Sequence, residues 1–177
     1  LDKIPSTVSE SDKKGRLDLT NQTIITIDGD DSRDFDDAIS VEKNEKGFIL
    51  GVHIADVSHY VKEGSEIDKE ALSRATSIYF PDFVIPMLPE KLSNGICSLN
   101  EGVERLTLSC IMKIDKSGSV YDYEFHNSVI KSRNRMTYKK VQKIIDGDKE
   151  LREQYPHLVE MLDNANELQN ILHKRRK

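Results

Sequence analysis

Thr26-Ile27-Asp28-Gly29-Asp30-Asp31-Ser32-Arg33-Asp34-Phe35-Asp36-Asp37-Ala38 is the stretch on which the reading of this chain turns. The ten residues from Asp28 to Asp37 hold six aspartates and one arginine. Ile24-Ile25-Thr26-Ile27 precedes them, and Ala38-Ile39-Ser40-Val41 follows. These apolar, β-branched runs seek burial, which predicts strands that pin both ends of the loop to a sheet. The carboxylates between them cannot then drift apart. Two carboxylates about 5 Å apart repel by roughly 3 kcal/mol at an effective dielectric near 20. Several such pairs would threaten a domain whose whole stability is about 5–15 kcal/mol. Raised pKa values are one relief and a bound cation is the other. A hard cation such as Mg²⁺ suits carboxylate oxygen, so the second relief is favoured.

A solvated acidic loop or an Asp-rich helix N-terminus is the plainer alternative. Against it, the aspartates sit directly beside a strand rather than in a tail. If extended, Asp34-Phe35-Asp36 puts two carboxylates on one side and an aromatic ring on the other. A calcium EF-hand is excluded. Counted from Asp28 or Asp30, the sixth position is Arg33 or Phe35 rather than Gly, and the twelfth is Ile39 or Val41 rather than Glu.

Outward from the loop, the patterning predicts an α+β domain with a mostly antiparallel mixed sheet and packed helices. Thr23–Ile27 is the first strand, and order begins near Leu17. Ala38–Lys43 and Phe48–Ala55 form a hairpin through Asn44–Gly47, the second strand apolar enough for a central place. His53 and Asp56 lie at its end, His53 as either a ligand, an acid–base group or a hydrogen-bonded structural histidine. A helix over Glu66–Thr76, capped by Ser65 or Asp68, should present Ile67, Ala71, Leu72 and Ala75 on one face. Pro81, Pro86 and Pro89 impose an extended, irregular path, and Glu90–Leu99 reads as a short helix. Arg105–Asp115 and Val120–Ser132 form a long hairpin turning at Lys116-Ser117-Gly118. Thr137–Ile145 is a helix with Val141, Ile144 and Ile145 inward. Leu151–Lys177 is helical, with Leu158, Met161, Leu162, Ala165, Leu168, Ile171 and Leu172 as a stripe for the core or for further chain.

With 177 residues the chain suits one domain with a real core. Residues 1–16 are polar and read as a linker. The start at Leu1 and the basic His173–Lys177 end suggest a piece of a longer protein. A net charge of −5 does not suggest a nucleic-acid surface. Lys131, Arg133, Arg135, Lys139 and Lys140 nevertheless cluster late in the sequence. The two cysteines, Cys97 and Cys110, lack CxxC spacing, so reduced thiols in a cytoplasmic protein are expected. No apolar run is long enough for a membrane span.

Thr26–Gly29 with Arg33–Ala38 resembles the signature of the RNase II/RNase R (RNB) family of 3′→5′ exoribonucleases, on its RNase R side. His53-Ile54-Ala55-Asp56-Val57-Ser58-His59-Tyr60-Val61, Tyr79-Phe80-Pro81, Pro86–Glu90, Leu92–Gly95 and Arg105–Leu108 continue the match, over about residues 15–150. The resemblance implies that residues 17–177 are the N-terminal half of an RNB catalytic domain. The other half, with its arginine and glutamate, and flanking OB-fold domains would lie elsewhere in the protein.

It implies a hydrolytic, processive enzyme that releases nucleoside 5′-monophosphates from the 3′ end of single-stranded RNA. The cofactor would be Mg²⁺, with Mn²⁺ as substitute. Asp28, Asp34, Asp36 and Asp37 would be the catalytic, metal-site carboxylates. Asp28 and Asp37 would be direct ligands, Asp34 a support, and Asp36 the residue whose loss most harms catalysis but not binding. Asp30 and Asp31 read as solvated, and Arg33 as balancing charge. Tyr79 would pack near the 3′-terminal nucleotide, against the alternative of a core tyrosine. A non-catalytic RNA- or protein-binding module, or a cation-binding regulatory domain, are the rival readings.

Overall fold

The computed structural model describes residues 4–176. Leu1, Asp2 and Lys3 of the expected linker, and Lys177 of the expected last helix, lie outside the described residues. Among the described residues seven strands form one mixed sheet. They are β1 (Leu17–Asp18), β2 (Ile25–Asp28), β3 (Asp37–Asn44), β4 (Gly47–Ala55), β5 (Glu104–Asp115), β6 (Val120–Lys131) and β7 (Asn134–Thr137). Their spatial order is β1-β6-β5-β4-β3-β2-β7, which places the apolar β4 at the centre. The inner ladders are antiparallel, while β1 on β6 and β7 on β2 are parallel.

Side chains alternate across this sheet, and each face has its own cover. On one face Ile25, Val41, Phe48, Ile114 and Met136 pack against Ile144, Leu158, Met161, Leu162 and Leu168 of two helices. These are α1 (Tyr138–Ile145) and α3 (Pro156–Arg175); between them lies the short α2 (Lys149–Gln154). The stripe expected of the last helix is therefore core. The single helix expected over this region is two, because Pro156 brings no N–H and opens a new first turn behind Tyr155. Farther along the same face Tyr121, Tyr123 and Phe125 of β6 stay exposed.

The other face is covered by Leu19, Ile24, Phe35 and Leu99, and by Leu92, Ile96 and Cys97 with Ile4 and Val8. The segment read as a linker thus lies against the domain, with Ser9 and Asp12 forming a reciprocal cap. Arg16 reinforces this through a 2.6 Å ion pair to Asp56. Three other expectations change. The helix predicted over Glu66–Thr76 ends at Arg74, and Leu72 is 81% exposed rather than inward. Ala75 ends it in the left-handed conformation, φ 64°. Ile78–Tyr79 and Val84–Ile85 pair as a small separate hairpin within the proline-rich stretch. The segment over Lys91–Ile96 is a wide helical turn broken at Gly95.

His53 sits wholly inside the sheet, on a row of hydroxyls. Its ring nitrogens lie 3.2 Å from Ser40 Oγ and 2.7 Å from Ser109 Oγ. Ser109 continues to Ser128 at 2.5 Å, and Ser128 to Thr107 at 2.7 Å. The histidine is therefore structural. Gly51, paired opposite Ser40, makes room for it. A Cβ at residue 51 would lie 2.7 Å from His53 Nε2 and collide with Ser40 Oγ. Gly51→Ala is expected to cost about 1–3 kcal/mol of unfolding free energy, as overpacking does, in a denaturant titration. A neutral result would mean that the row can shift sideways.

Candidate active site

The acidic loop spans the gap between the end of β2 and the start of β3. Asp28 ends β2 and pairs with Thr137 of β7. Asp37 begins β3 opposite Ile54. Between them Phe35 is the anchor. Its ring is buried at 5% exposure, its N–H donates to Ser98 Oγ at 3.0 Å, and its carbonyl accepts from Leu99 N–H at 2.8 Å. Ser98 Oγ also donates to the Arg33 carbonyl at 3.2 Å. With Phe35 held inward, Asp36 is exposed and Asp34 half-buried.

The four family-matched carboxylates feel one another. Asp28 is held above the usual carboxylate range, first by burial, then by the charge of Asp37, with smaller contributions from Asp34 and Asp36. Asp36 is shifted the same way by the protein atoms crowding its carboxyl and by Asp34 and Asp37. Asp30 and Asp31 are separate. Asp30 makes a 2.5 Å ion pair with Lys139, which holds its pKa low. It is therefore paired rather than merely solvated. Asp31 is exposed on the cleft wall.

The charge-balancing role expected of Arg33 falls elsewhere. Arg33 is exposed and forms no ion pair among the described residues. Arg135 of β7 instead reaches under the loop and donates to the carbonyls of Gly29, Asp30 and Ser32 at 3.1, 2.7 and 3.3 Å. In the sequence Arg135 stands out only as one of five clustered basic residues, with no sign that it meets the acidic loop. It is brought here by the parallel pairing of β7 with β2, more than a hundred residues away in sequence.

A cleft of about 680 Å³ opens beside the loop. Gly29 to Asp34 form one wall, and Tyr79, Phe80, Phe83 and Val84 of the small hairpin form the other. Tyr79 is 66% exposed, so it is not a core tyrosine. Its hydroxyl donates to Asp34 Oδ2 at 3.2 Å, tying the hairpin to the carboxylates. Phe80 and Phe83 stack at 4.6 Å between centroids with both rings open to solvent. In the sequence Phe80 stands out only as part of the Tyr79-Phe80-Pro81 match, and Phe83 not at all.

Among the described residues, no three His, Cys, Asp or Glu side chains form a ready cation cage. Mg²⁺ does not need one, since it commonly uses one or two carboxylates and completes its octahedron with waters and substrate phosphate oxygens. The donor chemistry, all hard oxygen on mutually repelling carboxylates, fits such an ion.

The family description "RNB domain" matches residues 16–177. Ribonuclease R of Thermotoga maritima is 53% identical over 175 residues, which cover 98% of this chain and 24% of that protein. The chain thus spans about a quarter of that relative's length. Mycoplasma genitalium RNase R, solved in complex with double-stranded RNA, superposes with a TM-score of 0.88 at 36% identity, over 99% of this chain and 31% of that one. Yeast Ssd1, described as a pseudonuclease, shares the fold at a TM-score of 0.79 and 22% identity, over 97% and 21%. By the family match along its length, and by the sheet and helices that carry it, this chain belongs to the RNB domain family.

Proposed function

We propose that this chain carries the carboxylate centre of a hydrolytic 3′→5′ exoribonuclease, one that degrades single-stranded RNA processively to nucleoside 5′-monophosphates. On this reading residues 17–177 are the N-terminal half of the catalytic domain of a cytoplasmic protein. The remaining half and OB-fold domains would complete it. One observation carries the proposal: Asp28 and Asp36 are held above the usual carboxylate range by burial and by the charges of Asp37 and Asp34, and Asp34 itself lines the open cleft. Such crowding costs stability, and a site that binds divalent cations gives it a purpose.

Mg²⁺, or Mn²⁺ in its place, would supply an activated water and charge neutralisation at the scissile phosphate. The chain's own residues do the positioning. Asp28 and Asp37, on strand ends, hold ligand oxygens rigidly, and Asp34 supports the same focus. Asp36, exposed beside them, faces the reacting phosphate. Tyr79 offers a ring face to the 3′-terminal base, which stacking stabilises by about 1–3 kcal/mol without reading sequence. Asp34 orients that ring through the hydroxyl.

The deciding experiment is digestion of an end-labelled single-stranded RNA by the full-length protein, with Mg²⁺ and with chelator. Stepwise shortening that stops on chelation supports the reading, and cleavage that ignores chelator refutes it. Tyr79→Ala is further expected to change the length of the final undigested stub, read on a sequencing gel. An unaltered stub would remove Tyr79 from the path of the RNA.

A further inference from the structure

We propose that Arg135 is the positioning residue of the carboxylate loop, a strand-borne clasp that holds the loop backbone in the shape that receives a divalent cation. The inference rests on the carboxylates being cation ligands. A loop this acidic must be held against its own charge, and it has little internal bonding: Ser32 N–H donates weakly to the Gly29 carbonyl at 3.3 Å. Arg135 supplies what is missing. One terminal nitrogen, Nη2, lies within reach of three loop carbonyls, those of Gly29, Asp30 and Ser32. That nitrogen carries two hydrogens, so the 2.7 and 3.1 Å contacts are the full bonds and the 3.3 Å contact is shared.

The same guanidinium lies 5.3 Å from the ring centroid of Phe35, the buried anchor between Asp34 and Asp36. Backbone and anchor are thus gripped by one side chain. Its positive charge is also close enough to Asp28 to offset part of the repulsion from Asp37.

The grip is rigid at its origin. Arg135 pairs with Thr26 in the parallel ladder, and its own N–H donates to Glu101 Oε2 at 2.7 Å. Met136, next in the strand, is fully buried. The clasp therefore does not move with the loop. Lys139 offers a contrast. It touches the same loop through an exposed pair with the Asp30 side chain and holds no carbonyl. A lysine at residue 135 would keep the charge but lacks the flat guanidinium that lies against the Phe35 ring while its terminal nitrogen reaches the carbonyls.

The test uses Mn²⁺ as probe, titrated calorimetrically into the chain, with amide hydrogen exchange across Asp30–Asp36 as the second readout. Arg135→Gln is expected to weaken Mn²⁺ binding about tenfold or more and to speed exchange in the loop but not in β4. Arg135→Lys is expected to recover only a minor part of both, and Lys139→Gln to change neither. Tight Mn²⁺ binding or unchanged loop exchange in a folded Arg135→Gln chain overturns the proposal, as does full rescue by Arg135→Lys. Failure of the unsubstituted chain to bind Mn²⁺ is a different result: it removes the cation reading on which the proposal stands.

Discussion

Asp36→Asn in the full-length protein is expected to slow RNA cleavage by at least about a hundredfold, some 2.7 kcal/mol of barrier, while single-stranded RNA binds within about twofold of the unsubstituted protein. Asp36 is exposed, as is Asp37, and stands beside the buried anchor Phe35. Asn keeps its shape and removes the charge. RNA affinity would come from stacking and from phosphate contacts spread along the strand, neither of which needs this carboxylate. The chemical step would need it. The substitution also removes a charge that burial of its carboxyl and, to a smaller extent, Asp34 and Asp37 disfavour. The melting temperature should accordingly stay level or rise, the reverse of a damaged fold. Single-turnover cleavage beside fluorescence-anisotropy binding makes the comparison. Parallel loss of binding and cleavage would remove the assigned role.

The second large effect concerns acid stability. Burial lowers the pKa of His53 from 6.5 to about 4. Between those values the unfolded chain takes up a proton that the folded chain refuses. Stability is therefore fully present above pH 6.5 and declines as pH falls toward 4. The shift corresponds to about 3 kcal/mol. The structure explains the refusal: His53 is fully buried, and among the described residues its ring nitrogens meet the Ser40 and Ser109 hydroxyls. Carboxylates elsewhere also respond to acid, so the diagnostic quantity is a difference. His53→Gln should flatten the pH dependence of the denaturation free energy by about this amount. An NMR titration of the unsubstituted chain gives the same answer without a variant. A His53 ring that titrates near pH 6.5 would refute the account.

The proposed activity depends on four side chains at one loop. A protein of this fold lacking any of them would be read as a binding module instead.

Much of the architecture was legible in the chain because its signals are local. The strand-like runs Ala38–Lys43 and Phe48–Ala55, the second nearly continuously apolar, and the Asn44–Gly47 turn place β3 and β4 within a residue or two. The Thr137 cap and the inward Ile144 of α1 were equally plain. Other features were hidden, since they depend on what an element meets. Leu72 reads as inward from its spacing, yet it is exposed while Ala71 beside it is buried. Residues 4–16 read as linker from their polarity, yet Ile4, Val8 and Arg16 find partners on the domain.

From the sequence alone came the mixed sheet, the family resemblance, the candidate carboxylates and Tyr79, because period, turn chemistry and charge density are written within a few neighbouring residues. Only the tertiary structure decided how the acidic loop is held. The parallel pairing of β7 with β2 brings Arg135 beneath Gly29–Ser32, and chain folding brings Ser98 to Phe35. Contacts between residues so far apart along the chain leave no local pattern, because they form when strands pair and faces are buried.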